Sequence, residues 1–166
     1  MARTIITYGT FDLFHIGHLN ILRRLKEQCD RLIVGVSTDE FNEMKGKKPI
    51  VPFEQRIEIV RAIRYVDEAI PESNWEQKRN DIEEHNVDAF AIGEDWKGKF
   101  DDLEDIVEVI YLPRTDGIST TELKRILSGF DKRKVTELKD SLDTLSLIHI
   151  SEPTRLHKVS RMPSSA

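Results

Sequence analysis

The sequence predicts an α/β fold: a Rossmann-like, open, mostly parallel sheet of five strands with helices on both faces. Three observations predict it. Short β-rich runs alternate with segments of helical period along most of the chain. One run, Leu32-Ile33-Val34-Gly35-Val36, is apolar without interruption, as a strand covered on both faces must be. The first strand, helix and strand fit within roughly thirty residues, the size of a βαβ unit with its right-handed crossover.

Each element has its own local reason. Ile5-Ile6-Thr7-Tyr8 is a β-rich run that ends at Gly9. Gly17 to Gln28 carries Leu19, Ile21, Leu22 and Leu25 at helical spacing. Pro52 suits the first turn of a helix bearing Ile57, Ile59, Val60 and Ile63. Val66 to Ile70 reads as a strand ended by Pro71, and Asn74 as the cap of a helix through Glu84. Asp88 to Ile92 and Val107 to Leu112 are the last two strands. Ser119 or Thr120 caps a helix from Glu122 to Leu127. Asp131 to Leu145 is charged, with leucines at 138, 142 and 145, and predicts a final amphipathic helix.

Composition bounds the function. The 166 residues suit one main domain, and the 30 acidic against 25 basic side chains argue against a general nucleic-acid binder. No apolar run approaches the roughly 20 residues of a membrane helix. Met1-Ala2-Arg3-Thr4 leads into a strand, not a secretion signal, and Cys29 stands alone, so a reducing cytoplasm is the expected setting. From about Leu147 the chain has no clear period and reads as a non-native tail, 147–166, of cloning or adapter origin. Without it 22 basic and 29 acidic residues remain, a net charge of −7, and the remaining histidines are His15, His18 and His85.

Two loops carry chemistry. Gly9-Thr10-Phe11-Asp12-Leu13-Phe14-His15-Ile16-Gly17-His18 joins the first strand to the first helix. Histidines three apart lie on one side of a helix's first turn, where free N–H groups and the positive dipole end favour an anion. Imidazolium or neutral N–H donors there would stabilise a phosphate in transfer. A helix cap or a solvated side chain is the ordinary alternative for either histidine. A metal site lacks a third firm ligand, since Asp12 is the only nearby acid. The second loop, Arg114-Thr115-Asp116-Gly117-Ile118-Ser119-Thr120-Thr121, places a cation, a glycine turn and hydroxyls before another helix. Alone, that octapeptide also reads as a turn with a Ser/Thr cap.

The pattern strand-G-T-F-D-x-x-H-x-G-H-helix resembles the opening of the nucleotidyltransferase superfamily, which includes cytidylyltransferases, pantetheine-phosphate adenylyltransferase and class I aminoacyl-tRNA synthetases. The chain is far too short for a synthetase and lacks a K-M-S-K-S loop. R-T-x-G-I-S-T-T is more specific and resembles the late motif of cytidylyltransferases that activate alcohol phosphates. Ser37 to Asn42, Ile63 to Glu68, Asn74 to Lys78 and Gly93 to Phe100 resemble the glycerol-3-phosphate branch of that family. The resemblance covers residues 4 to about 127, with Glu94 where the branch is expected to carry Asp.

The resemblance implies a nucleotidyltransferase domain over 1–130, followed by the helix at 131–146. It implies transfer of a cytidylyl group from CTP to sn-glycerol 3-phosphate, giving CDP-glycerol for a wall or capsular polymer such as teichoic acid, by in-line attack on the α-phosphate. His15, His18, Lys45 and Lys47 are the implied catalytic residues, the lysines forming a mobile lid. Implied nucleotide contacts are Gly9, Thr10, Phe11, Asp12, His15 and His18 from the first loop. Arg56, Asp95, Arg114, Ile118, Ser119 and Thr120 complete them. The acceptor would meet Lys47, Arg64, Trp75 and Lys78. Without the resemblance, Lys45, Lys47 and Lys48 read as a solvated cluster, Arg56 as a helix surface charge, and Trp75 and Trp96 as packing aromatics. Asp12, Asp39, Asp67 and Asp95 lie near strand ends, yet their spacing fixes no metal cage, so Mg²⁺ is expected to arrive with CTP. The family also implies a homodimer. Phosphoethanolamine, phosphocholine or FMN as acceptor, ATP as donor, and a non-catalytic nucleotide-binding regulatory subunit are the competing readings.

Overall fold

The computed structural model describes residues 2–114, 119–129 and 132–151. Alternating residues of β1 (Thr4–Gly9) serve two cores. Ile5 packs with Leu22, Leu25, Val34 and Val60, whereas Ile6 and Tyr8 pack with Ile33, Ile82 and Phe90. This is the two-residue period of a strand covered on both faces. β2 (Arg31–Ser37) lies beside β1, with Ile6 opposite Ile33, and β3 (Glu68–Glu72), β4 (Ala89–Gly93) and β5 (Glu108–Leu112) complete the sheet. All neighbours are parallel, in the order β3-β2-β1-β4-β5.

α1 (Ile16–Glu27) and α3 (Phe53–Ala62) supply Leu22, Leu25, Ile57 and Val60 to one core. α4 (Gln77–Glu84) and the 3₁₀ turns Glu94–Trp96 and Asp101–Leu103 cover the other face. The chain winds outward through β1, β2 and β3, then returns to the far side of β1 with β4. A ligand crevice is expected beyond the carboxyl ends of β1 and β4, where the winding reverses.

Four details differ from the sequence reading. α2 (Asp39–Met44) follows β2 directly, its cap Thr38 accepting the Phe41 N–H at 3.1 Å. Six residues show no usable period, although Thr-Asp-Glu is a helix-start signal. β3 begins at Glu68, two residues after Val66, and runs through Pro71 to Glu72 instead of ending before the proline. Proline is tolerated because β3 is an edge strand. Val66 belongs to a turn, its N–H bound to the Ile63 carbonyl. α5 (Thr120–Ser128) starts two residues before Glu122, and Ser119 Oγ is the cap, accepting the Glu122 N–H at 3.1 Å. Asn74 Oδ1 accepts the Gln77 N–H at 2.8 Å, although the cap position of α4 falls on Glu76 and not on Asn74.

Contacts divide the chain into Met1–Leu123, which holds the sheet, and Lys124–Ala166. In the second unit α6 (Lys132–Ser151) exposes Leu138, Leu142 and Leu145. It continues past 146 because nothing from Lys132 to Ser151 is Gly or Pro. Among the described residues no helix is long and apolar enough to cross a membrane.

Candidate active site

The loop after β1 is strained at two places, with φ of 53° at Phe11 and 49° at Leu13, both left-handed for non-glycine residues. Asp12 helps fix it: its buried carboxylate accepts the Ile50 N–H at 2.8 Å and the Val51 N–H at 2.9 Å. The loop ends at His15, the cap of α1, whose Nδ1 accepts the Gly17 N–H at 3.0 Å. His18 Nδ1 accepts the His15 backbone N–H at 3.2 Å. A ring nitrogen that accepts carries no proton, so both neutral rings hold their hydrogen on Nε2.

Those two N–H groups aim at one point. His15 Nε2 lies 3.2 Å and His18 Nε2 3.5 Å from Thr120 Oγ1, the first residue of α5. The Thr120 hydroxyl in turn donates to the Asp12 carbonyl at 3.2 Å. The imidazoles stack, with centroids 3.9 Å apart. Burial pushes His18 down to about 4, the His15 charge adding to the effect and Asp12 opposing it. Burial also lowers His15. Of the two charge states open from the sequence, the geometry therefore selects neutral rings at pH 7. The helix tips of α1 and α5 meet here, and N–H donors converging at helix starts suit an anion.

The lysine loop is the exit from α2. Gly46, with φ of 71°, lets its own N–H reach the Glu43 carbonyl and that of Lys47 reach the Asn42 carbonyl. That pair of bonds is a Schellman turn, which needs glycine at this position. It brings Lys45 and Lys47 to one cavity, of about 60 Å³, shared with Gly9, Thr10, Ser37 and Trp96. Lys45 Nζ donates to Ser37 Oγ at 3.1 Å and lies 4.3 Å from the Phe41 ring centroid; Lys47 Nζ lies 5.6 Å from that of Trp96.

Desolvation lowers the Lys45 ammonium to about 8; Glu72 opposes this, while Lys47, Lys78 and Arg56 add to it. A phosphate ester, dianionic above about pH 6, binds best to the charged form. Apparent affinity for such a ligand is expected to fall as pH rises above 8, by up to about tenfold per unit. Arginine at 45 removes the titration. KM measured from pH 6.5 to 9.5 checks this; a flat wild-type profile takes Lys45 out of anion contact.

The other candidates separate. Arg114 pairs with Asp95 at 3.1 Å, both exposed, so the pair adds little stability and leaves the guanidinium accessible. Trp75 packs against Phe41 and Trp96 in the cavity wall, and Trp96 joins it there rather than in a remote core. Lys78 is buried and paired with Glu72. Arg56, read from sequence as a nucleotide contact or a surface charge, is 1% exposed. It donates to the carbonyls of Thr10, Ser37 and Val51 and to Asp39, tying together the ends of β1 and β2. Arg64 is not brought to the cavity. It precedes β3, at the amino ends of the strands, with its guanidinium on Tyr65. Ile118 lies outside the described residues.

Sequence reasoning missed Glu72, Ser37, Asn42, Tyr8 and Asp81. Glu72 accepts from Ser37 Oγ at 2.6 Å, Asn42 accepts from Thr10 Oγ1 at 2.8 Å, and Tyr8 donates to Asp81 at 2.8 Å. For Ser37 and Glu72 the available signal was a polar residue at the carboxyl end of β2 and of β3; Asn42 and Asp81 lie on helices and carried none. Among the described residues, one group has metal-ligand spacing: Asp81, Glu84 and His85, with ligand atoms within 4.8 Å of one another. The Asp81 carboxylate there is engaged by Tyr8 and Gln77.

The cytidylyltransferase-like family matches residues 6–126. The glycerol-3-phosphate cytidylyltransferase of Bacillus subtilis (strain 168) is 57% identical over 127 residues, covering 76% of this chain and 98% of that protein. The protein of the same name from Staphylococcus aureus (strain NCTC 8325 / PS 47) is 53% identical over 131 residues, 79% of this chain and 99% of its own length. Among solved structures, the lipopolysaccharide core biosynthesis protein from Thermoplasma volcanium GSS1 superposes with a TM-score of 0.61 at 25% identity, covering 70% of this chain and 100% of that chain. With the helix-tip geometry and this coverage, the chain belongs to the cytidylyltransferase-like family, beside the glycerol-3-phosphate cytidylyltransferases.

Proposed function

We propose that this chain transfers the cytidylyl group of CTP to sn-glycerol 3-phosphate. A phosphate oxygen of the acceptor bonds to the α-phosphorus, the bond to the β-phosphate oxygen breaks, and CDP-glycerol and pyrophosphate leave. The observation that carries this reading is the convergence of the His15 and His18 N–H groups at the joined tips of α1 and α5. Neutral donors already fixed by backbone bonds stabilise the gathering phosphate charge without reorganising. Gly9, Thr10 and Phe11 line the nucleotide side, with Arg114, Ser119 and Thr120 on the triphosphate. Asp12 and Arg56 act by holding the loops, and Lys45 and Lys47 close over the acceptor phosphate.

Mg²⁺ belongs to the same reading as a companion of CTP, where it neutralises triphosphate charge. The described residues around the helix tips offer N–H and hydroxyl donors, while the Asp12 and Asp95 carboxylates are engaged by protein donors. A cytoplasmic homodimer is the expected working form, on family resemblance.

Pyrophosphate release, measured for CTP and ATP against glycerol 3-phosphate, phosphoethanolamine, phosphocholine and FMN, tests the reaction. CTP with glycerol 3-phosphate is expected to be the productive pair. Product with another pair alone reassigns the substrate, and CTP binding without turnover under any acceptor favours a regulatory subunit.

A further inference from the structure

An aromatic box surrounds the Lys78 ammonium. Its Nζ lies 4.7 Å from the ring centroid of Tyr8, 4.9 Å from Trp75, 5.6 Å from Phe100 and 5.8 Å from Phe41. Lys78 and its partner Glu72 are each 2% exposed. The Tyr8 ring is locked from below. A Cβ at Gly35 would come within 2.2 Å of it, and its hydroxyl is held by Asp81. Aromatic rings and a carboxylate around one cation are how proteins bind the ammonium group of a ligand. Here the cation belongs to the chain itself. The box opens onto the cavity that Lys45, Lys47 and Thr10 also line.

We infer that Lys78 is a built-in occupant of an ammonium cage and so sets the acceptor class, admitting phosphorylated neutral polyols and refusing phosphorylated amino or trimethylammonium alcohols. The inference rests on the proposed transfer to an alcohol phosphate. With the phosphate at Lys45 and Lys47, the alcohol end of the acceptor extends toward Lys78, Glu72 and Ser37 in the same cavity. Polyol hydroxyls can donate to the Glu72 carboxylate and accept from the ammonium. A cationic head meets a filled cage, a like charge and a carboxylate whose charge is already matched.

The test is kcat/KM with CTP for glycerol 3-phosphate, phosphoethanolamine and phosphocholine, in wild type, Lys78→Ala and the Glu72→Gln/Lys78→Ala pair. Wild type is expected to favour glycerol 3-phosphate. Lys78→Ala is expected to raise the ratio of phosphoethanolamine to glycerol 3-phosphate at least 100-fold. The double variant, which lacks the counter-ion, gains about tenfold, the share due to lost repulsion. A lysine that only props the fold would depress all acceptors in parallel, and an unchanged ratio in either folded variant overturns the inference. The double variant buries no unpaired charge and decides the matter if the single one does not fold. Titration with choline chloride gives a readout apart from turnover: Lys78→Ala binds it, and wild type does not. Absence of CDP-glycerol from wild type defeats the proposed reaction instead, and the choline titration still decides the cage.

Discussion

Replacing His18 with alanine is expected to lower kcat by about 100-fold or more while the fold persists, the usual loss for one preorganised oxyanion donor. The expectation comes from the Nε2–H that His18 aims, with that of His15, at the tip of α5. His18→Asn keeps a side-chain acceptor for the His15 N–H and separates helix capping from donation to substrate. The donor is neutral, so the effect has a defined pH dependence. The folded pKa of His18, about 4, lies below its ordinary value of 6.5. The unfolded chain therefore binds more protons in that window, and the stability contributed by neutral His18 is complete above 6.5 and lost as pH falls toward 4. A folded His18→Ala protein with near-normal kcat would remove the histidine from the transition state.

Replacing Arg56 with methionine is expected to cost about 3 kcal/mol or more, because removing a charged donor leaves buried acceptors unsatisfied at roughly 1–3 kcal/mol each. Its guanidinium serves three carbonyls, on Thr10, Ser37 and Val51, and the Asp39 carboxylate at 2.6 Å. Lysine at this position is expected to recover little, since one ammonium cannot span those directions. Urea unfolding measures the loss, and a change below about 1 kcal/mol would show that the staple is redundant. Because Thr10 lies in the first loop, a partly folded variant should also bind CTP more weakly.

Local pattern made much of this legible. The apolar run of β2, the alternation in β1 and the leucine spacing of α1 each express the burial that the finished sheet imposes. His15, Gly17 and His18 were readable because their interplay spans one helical turn. α2 was not, since six residues are too few to show a period. The limit of β3 was misjudged because proline stops a central strand and not an edge strand, and strand order is a property of the whole sheet.

Glu72 illustrates the remainder. Its partners Ser37 and Lys78 sit on another strand and on the following helix, so no spacing in the chain announces the cluster. Arg56 likewise looks like any charged residue on a helix until β1, β2 and the α3 entry enclose it. The α/β alternation, the histidine and Ser/Thr signatures ahead of α1 and α5, and the family were all legible in residues close along the chain. Tertiary structure alone decided the neutral histidine pair, the Arg56 staple and the filled ammonium cage. Charge state and burial depend on neighbours that only folding brings within a few ångströms.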